Sequence, residues 1–251
     1  MVINSRYKGS PEQARHGHGG LVRDFPKLSW ENLPMLDAIE ICTERPPDAS
    51  ILWLHGLGAD GSDFAPMVDE LALPFAVRFV FPHAPRMPVT INGGYVMPAW
   101  YDVYSLDIAD IQDEAGIRAS QSMLEELIER EKSRGIRPGR IVLAGFSQGG
   151  AIALQTALRY PERLAGVLAL STHLPLKHTL AAERSEANRD LPILMAHGRF
   201  DTVIPLQVAH GSRINLESAG YPVEWREYPM AHTVSGEEID DIRLFLLRIL
   251  G

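Results

Sequence analysis

The fold is decided by the stretch Arg140-Ile141-Val142-Leu143-Ala144-Gly145-Phe146-Ser147-Gln148-Gly149-Gly150. Its apolar first half is typical of a buried strand, and residues 151–158 then follow a helical pattern. A serine in G-x-S-x-G between a strand and a helix lies on a sharp turn, where Gly145 and Gly149 let the backbone approach itself closely. The pattern therefore predicts that Ser147 is a nucleophile raised above one edge of a sheet.

Short apolar runs recur on both sides of this stretch and alternate with amphipathic segments. Near-continuous apolar strands separated by helices indicate a mostly parallel central sheet with helices on both faces, an α/β fold. The runs are residues 51–54, 79–81, 141–144, 167–170 and 193–196. The last helix is expected after Ser235, which has capping-box spacing to Glu238.

The composition excludes several classes of function. The 251 residues, 45% of them hydrophobic, suffice for a single domain, while the longest apolar run, residues 244–250, is too short to cross a membrane. A formal net charge of −8 disfavours nucleic acid and anionic membrane surfaces as partners. Cys42, the single cysteine, allows no internal disulfide, and we see no secretory signal. We therefore expect a cytoplasmic protein.

Residues 1–34 differ in character from the rest of the chain. Glycines, prolines and scattered charges interrupt any periodicity there, so we expect a poorly ordered N-terminal extension before a domain at residues 35–251. His16 and His18 lie in this extension without cysteine or carboxylate support. We therefore expect no metal site.

A serine nucleophile needs a base that accepts its proton and an acid that orients the base. In a sheet of this kind the acid follows the serine along the chain and the histidine comes last. Asp201 follows the run at residues 193–196, and His232 follows the strand-like run at Val223–Tyr228. Both are expected in loops at the edge where Ser147 lies. The sequence thus predicts Ser147, Asp201 and His232 as the catalytic residues.

Other histidines and carboxylates compete for these roles. His55, His83 and His197 each end a strand-like run, where packing or backbone positioning is the favoured interpretation over proton transfer. Asp190 precedes its strand and is expected at the wrong edge of the sheet, while Asp102 comes too early in chain order. Asp201 and His232 remain the preferred pair.

Cleavage of an acyl group also needs donors for the oxyanion. The backbone N–H groups of Leu57 and Gln148 are the predicted donors, because they lie in the loop after an earlier strand and directly after the nucleophile. Residues 56–61 also match G-x-G-x-x-G, the pattern of a dinucleotide-binding turn, and lie between a strand-like run and a segment at residues 62–71 that is expected to be helical. That alternative, an oxidoreductase, needs an acidic residue about twenty positions on, and residues 79–85 contain none.

With these motifs in place, the chain resembles the acyl-protein thioesterase and small carboxylesterase family, a compact branch of the α/β-hydrolases, from about residue 35 onward. The motifs that carry the resemblance are Leu54-His55-Gly56-Leu57-Gly58-Ala59-Asp60-Gly61, Phe81-Pro82-His83-Ala84-Pro85, Met97-Pro98-Ala99-Trp100-Tyr101-Asp102, Gly145-Phe146-Ser147-Gln148-Gly149-Gly150 and His197-Gly198 with Asp201 and Pro205. The resemblance implies an α/β-hydrolase fold and a serine hydrolase of carboxylic esters or thioesters that uses no metal or organic cofactor. It assigns the same residues to catalysis and to the oxyanion hole.

The resemblance also implies an acyl pocket between residues 86–110 and 171–176. The side chains expected to line an apolar slot for a short or medium acyl chain are Met97, Trp100, His173, Leu174, Pro175 and Val203. His173 departs from the larger aromatic residue that is often found at that position in the family. The sequence therefore does not determine the width of the pocket.

Several substrates and partners remain open at this stage. The substrate is a small ester or thioester, a lysophospholipid, or an acylated cysteine on another protein. A homodimer is expected by analogy with the family. A catalytically silent binding protein that keeps the fold is the remaining alternative.

Overall fold

A computed structural model of the chain describes residues 36–105 and 111–251. The strands are β1 (Ala38–Cys42), β2 (Ala49–Leu54), β3 (Val77–Pro82), β4 (Arg86–Val89), β5 (Tyr95–Pro98), β6 (Ile141–Phe146), β7 (Gly166–Leu170), β8 (Ile193–Gly198) and β9 (Val223–Tyr228). The helices are α1 (Met67–Leu71), α2 (Glu114–Ser133), α3 (Gln148–Ala157), α4 (Leu180–Glu183), α5 (Leu206–Ser218) and α6 (Gly236–Leu250). The predicted extension at residues 1–34, with His16 and His18, lies outside the described residues.

A seven-stranded sheet in the order β1-β3-β2-β6-β7-β8-β9 forms the centre of the molecule. All neighbours are parallel except β1, which pairs antiparallel with β3. The parallel strands therefore end at one edge, called here the carboxyl edge, and begin at the opposite amino edge. The strands that end at the carboxyl edge are β2, β3, β6, β7, β8 and β9. The predicted α/β-hydrolase architecture, with its mostly parallel sheet, is confirmed.

Helices cover both faces of the sheet, and the strand pleat divides the core between them. Along β2, Leu52 and Leu54 pack in one cluster with α2, α3 and part of α5, while Ile51 and Trp53 pack in the other cluster with α1 and α6. Successive side chains of a strand point to opposite faces, so an unbroken apolar run fills two cores at once. All the runs predicted as strands form strands of this sheet.

Two features differ from the sequence-based expectations. The segment at residues 62–71, which has a helical pattern, forms a short 3₁₀ turn at Gly61–Asp63 and the five-residue helix α1. The side chain of Asp60 closes the first turn by accepting from the N–H of Ser62 at 2.8 Å, and Pro66 precedes α1. The half-buried edge strand β1 and the hairpin of β4 and β5 were not foreseen. Within the described part of the chain, no helix combines the length and apolar character needed to cross a membrane.

Candidate active site

Ser147 lies on the turn between β6 and α3 in an uncommon backbone conformation. Its φ is 54° and its ψ is −120°, a region that residues other than glycine rarely adopt. A Cβ on Gly145 would clash with the backbone of Gly149, so the turn closes only with glycine there. The N–H of Ser147 donates to the carbonyl of Leu170 at 2.8 Å, and its carbonyl accepts from Oγ1 of Thr172 at 2.6 Å. Strand β7 and the residues after it therefore hold the strained turn.

Asp201 lies in the loop after β8, and its side chain is fully buried. Its Oδ1 accepts from the N–H groups of Val203 and Ile204, each at 2.9 Å. Its Oδ2 lies 2.7 Å from Nδ1 of His232. Burial acts to raise the pKa of Asp201, but the hydrogen bond and charge of His232, with the N–H of Ile204, outweigh it. The pKa therefore lies below its usual value, and the carboxylate is ionised at neutral pH.

His232 lies in the loop between β9 and α6, where its ring reaches the Ser147 turn. The ring centroid is 4.6 Å from that of Phe146, the residue before Ser147. Asp201 accepts the Nδ1 proton, which leaves Nε2 of His232 as a proton acceptor. The structure thus brings together residues from β6, β8 and β9 that lie far apart in the sequence.

The loop after β2 passes directly beside this turn. A Cβ on Gly56 would lie 3.4 Å from the Cβ of Ser147, and Leu57 is the next residue. Gln148 is the first residue of α3. N–H groups in the first turn of a helix have no carbonyl acceptor within that helix, so they are suited to an anion. Both predicted oxyanion donors therefore lie in the immediate neighbourhood of Ser147.

The side chain of Gln148 has a role that the sequence analysis missed. Its Oε1 accepts from the N–H of Trp100 at 2.8 Å, and its Nε2 donates to the carbonyl of Tyr101 at 2.7 Å. Trp100 in turn donates its Nε1–H to the carbonyl of His55 at 2.9 Å. These bonds join the loop before α2 to the start of α3 and to the loop after β2. These contacts join residues 47 and 48 positions apart, so no local sequence pattern indicates them.

The competing histidines serve the backbone, as the sequence analysis favoured. His55 accepts from the N–H of Ala84 at 3.0 Å, and His83 accepts from the N–H of Gly61 at 3.2 Å. His197 lies 2.9 Å from the carbonyl of Ile204. Burial lowers the pKa of His55 to about 4 and lowers that of His197 as well. Each of the three imidazoles thus holds a loop by a hydrogen bond to the backbone.

The competing carboxylates also lie where they were expected. Asp190 precedes β8 at the amino edge and pairs with Arg163. Asp102 accepts from the N–H of Thr90 at 2.7 Å and closes the loop beside the hairpin of β4 and β5. Neither carboxylate is among the described contacts of His232.

A family model described as phospholipase/carboxylesterase matches residues 37–250. The chain belongs to this family. It is therefore a hydrolase that acts on carboxylic esters. The motifs on which the resemblance rests include the turn at Ser147 and the loop of Gly56 beside it.

Relatives of the chain include acyl-protein thioesterase 1 of Gibberella zeae, which is 38% identical over 213 residues, covering 80% of this chain and 91% of the relative. Acyl-protein thioesterase 1 of Neurospora crassa is 39% identical over 209 residues, covering 79% of this chain and 85% of the relative. Among solved structures, Arabidopsis thaliana SOBER1 superposes with a TM-score of 0.77 at 30% identity, covering 81% of this chain and 99% of that one. Acyl-protein thioesterase 2 of Zea mays gives a TM-score of 0.76 at 28% identity, covering 86% and 99%.

The residues predicted to line the acyl pocket of this esterase lie in different environments. Met97, on β5, would touch a Cβ placed on Gly58 at 3.6 Å, so it lies against the loop that carries Leu57. Trp100 is almost fully buried, and its ring centroid is 5.3 Å from that of His55. Both side chains thus border the predicted oxyanion loop.

The remaining predicted lining residues are less uniform. Leu174 is buried in the core cluster around α2 and α3, and its N–H donates to Oγ of Ser212 at 2.9 Å. Val203 is 37% exposed beside Asp201, which is compatible with a rim position. His173 is buried, and its Nδ1 has no hydrogen-bond partner among the described residues. Burial lowers the pKa of His173 to about 4, so the ring is neutral at physiological pH.

Proposed function

We propose that this protein hydrolyses carboxylic esters and thioesters by acyl transfer through Ser147. The observation that carries the proposal is the hydrogen bond of 2.7 Å between Asp201 and His232, in a ring position that contacts Phe146 next to Ser147. A serine on a strained turn, an imidazole beside that turn and a buried carboxylate behind the imidazole are the three groups that such a reaction needs.

In the first step, Nε2 of His232 accepts the hydroxyl proton of Ser147 as Oγ attacks the carbonyl carbon. The N–H groups of Leu57 and Gln148 stabilise the oxyanion of the tetrahedral intermediate. His232 then donates the proton to the leaving alcohol or thiol, and an acyl ester of Ser147 remains. In the second step, His232 takes a proton from water as the water oxygen attacks the acyl ester, and it donates that proton to Oγ of Ser147 as the acid leaves.

The substrate we propose carries a short or medium acyl chain on a small alcohol, a small thiol or a protein cysteine. Two lines of support are the apolar side chains of Met97 and Trp100 beside the oxyanion loop and the relatives named as acyl-protein thioesterases. Neutral His173 adds an uncharged side chain to the same edge of the sheet. A chain-length series of p-nitrophenyl esters and matched thioesters, with kcat/KM for each, tests this assignment.

Replacement of Ser147 by alanine tests the nucleophile. Turnover of p-nitrophenyl acetate should fall by about a million-fold, because the remaining groups cannot form the acyl-enzyme. Covalent labelling by a fluorophosphonate probe should also disappear. Ser171 offers a matched control, because it is buried at the end of the neighbouring strand and also has a positive φ of 45°. Ser171→Ala should keep the labelling, and labelling that persists in Ser147→Ala would refute the proposal.

A further inference from the structure

A cavity of about 450 Å³ lies at the amino edge of the sheet, opposite the edge that carries Ser147. It forms where the end of β1 meets the start of β3, since Cys42 pairs with Arg78 across these strands. The lining residues are Glu40, Cys42, Arg45, Pro46, Pro47, Arg78 and Arg134. Three of the seven are arginines in a chain with a formal net charge of −8. The cavity therefore concentrates positive charge on an acidic protein.

A buried carboxylate fixes two of these arginines. Glu131 on α2 is fully buried and accepts from Nη1 of Arg78 at 2.6 Å and from Nη1 of Arg134 at 3.0 Å. It also accepts from Oγ of Ser50 at 2.8 Å. The guanidinium planes are thus held in place beside the cavity, which reduces the entropy that a ligand would otherwise lose in ordering them.

A second carboxylate neutralises only part of the remaining charge. Glu40 accepts from both terminal nitrogens of Arg134, at 2.9 and 2.8 Å, and forms an ion pair with Arg130, whose Nη2 lies 3.0 Å from Oε1 of Glu40. Together with Arg130, which lies behind the lining, the three lining arginines make a group of four guanidinium cations, whereas Glu40 and Glu131 supply two negative charges. Two positive charges are left over.

Arg78 also carries a donor that the protein itself does not use. Only 8% of the residue is exposed, yet its Nε–H has no hydrogen-bond partner among the described residues. Buried polar groups are nearly always paired, because an unpaired one loses its hydration without compensation. An acceptor from a ligand in the cavity would complete the hydrogen bonding of this guanidinium.

The chemistry of the lining selects the ligand. Guanidinium forks bind phosphate oxygens through charge-assisted hydrogen bonds, and a phosphate monoester carries between about one and a half and two negative charges at neutral pH. That charge matches the surplus, while Pro46 and Pro47 offer apolar surface to an organic group. The volume lies within the range of small-molecule sites. We propose that this cavity binds the phosphate monoester of a small organic molecule.

Cys42 provides a direct readout, because it lines the cavity, is partly exposed and is the only cysteine in the sequence. The rate at which iodoacetamide, a neutral reagent, alkylates Cys42 is measured on the full chain with increasing phenyl phosphate at constant ionic strength. The rate should fall several-fold and saturate, with a midpoint on the order of 1 mM for a ligand held by a few charged hydrogen bonds. Inorganic phosphate should protect with a higher midpoint, since it lacks the organic group.

Two variants separate a built site from general charge screening. Arg45→Gln removes an exposed cavity arginine and should raise the midpoint by about tenfold. Arg137→Gln removes an exposed arginine from the same edge of the sheet outside the cavity and should leave the midpoint unchanged. The proposal is overturned if phenyl phosphate does not slow alkylation, if sodium chloride slows it equally, or if both variants behave alike. Equal protection by inorganic phosphate would remove the organic group from the assignment.

Discussion

Two buried carboxyl groups, those of Asp201 and Glu238, precede and follow the loop of His232 in the sequence. They differ in their hydrogen-bond partners. Asp201, in the loop after β8, accepts from the N–H groups of Val203 and Ile204 at 2.9 Å and from His232 at 2.7 Å. Glu238, in the first turn of α6, is fully buried, and neither of its oxygens has a hydrogen-bond partner among the described residues.

The two groups consequently titrate in opposite directions. Burial alone acts to raise both pKa values, but the hydrogen bond and charge of His232 bring the pKa of Asp201 below its usual value. Burial raises the pKa of Glu238 to about 8, and the nearby charge of Asp241 adds to the shift. The comparison teaches that inward-facing donors, rather than depth, decide whether a buried acid is charged. The β8 loop holds an anion behind His232, while α6 begins with a neutral acid.

Between these two carboxyl groups, the larger expected effect comes from removing the charge of Asp201. Asp201→Asn keeps the shape of the side chain but no longer favours the tautomer of His232 that accepts a proton at Nε2. The kcat for p-nitrophenyl acetate should fall by about ten-thousand-fold. Asp190→Asn, at the amino edge, is the matched control and should change kcat by less than about twofold. A loss below about tenfold in Asp201→Asn would show that another group orients His232.

The next effect concerns stability and comes from Glu238. With a folded-state pKa of about 8 and an unfolded-state value near 4.5, folding keeps a proton that the unfolded chain releases. This contribution to stability is fully present below about pH 4.5, falls as the pH rises and is lost above about pH 8. Glu238→Gln cannot ionise, so its free energy of unfolding should exceed that of the parent by about 5 kcal/mol near pH 9 and match it near pH 4.5.

Urea unfolding followed by tryptophan fluorescence across this pH range measures the difference between the two proteins. Glu237→Gln is the control, because Glu237 is the exposed neighbour of Glu238 in the same helical turn. That variant should keep the pH dependence of the parent. If Glu238→Gln also keeps it, Glu238 ionises in the folded protein and finds a partner there.

Much of the fold was predictable because its signals are local. The apolar runs that became β2, β3, β6, β7 and β8 are buried on both faces, so their composition alone marks them as central strands. β1 escaped notice because it is a half-buried edge strand, and the hairpin of β4 and β5 because its strands have four residues each. Short and partly exposed strands carry little periodicity.

The parts of the site that a local sequence motif specifies could be predicted. Contacts between residues far apart in the sequence could not. Gly145 and Gly149 predict the turn at Ser147, and the order serine, acid, histidine along the sequence predicts Asp201 and His232. The bridge that the Gln148 side chain forms depends on a loop 48 residues away, which no local pattern encodes.

Glu238 shows the same limit. The spacing from Ser235 predicts a capping box, and Oγ of Ser235 does accept from the N–H of Glu238 at 3.2 Å. The reciprocal hydrogen bond from the N–H of Ser235 to the Glu238 carboxyl does not form among the described residues, although this N–H is close enough to act against the rise in the pKa of Glu238. Helix α6 packs against α1, β8 and β9, and Glu238 is fully buried, which cannot be inferred from the spacing.

The smallest expected effect tests how much Asp241 contributes to the neutral state of Glu238. Asp241 accepts from the hydroxyl of Tyr228 at 2.7 Å and lies 3.4 Å from Nε of Arg226, so its charge is already partly balanced. Asp241→Asn should lower the pKa of Glu238 and reduce the stability lost between about pH 5 and pH 9 by about 0.5 kcal/mol. Asp241→Asn also removes the hydrogen bond from Tyr228, but that loss lowers stability equally at both pH values and cancels in the difference between them. In a Glu238→Gln background, the same substitution should therefore leave the pH-dependent loss of stability unchanged. An equal reduction in both backgrounds would mean that the charge of Asp241 does not reach Glu238, and that burial alone keeps this acid protonated.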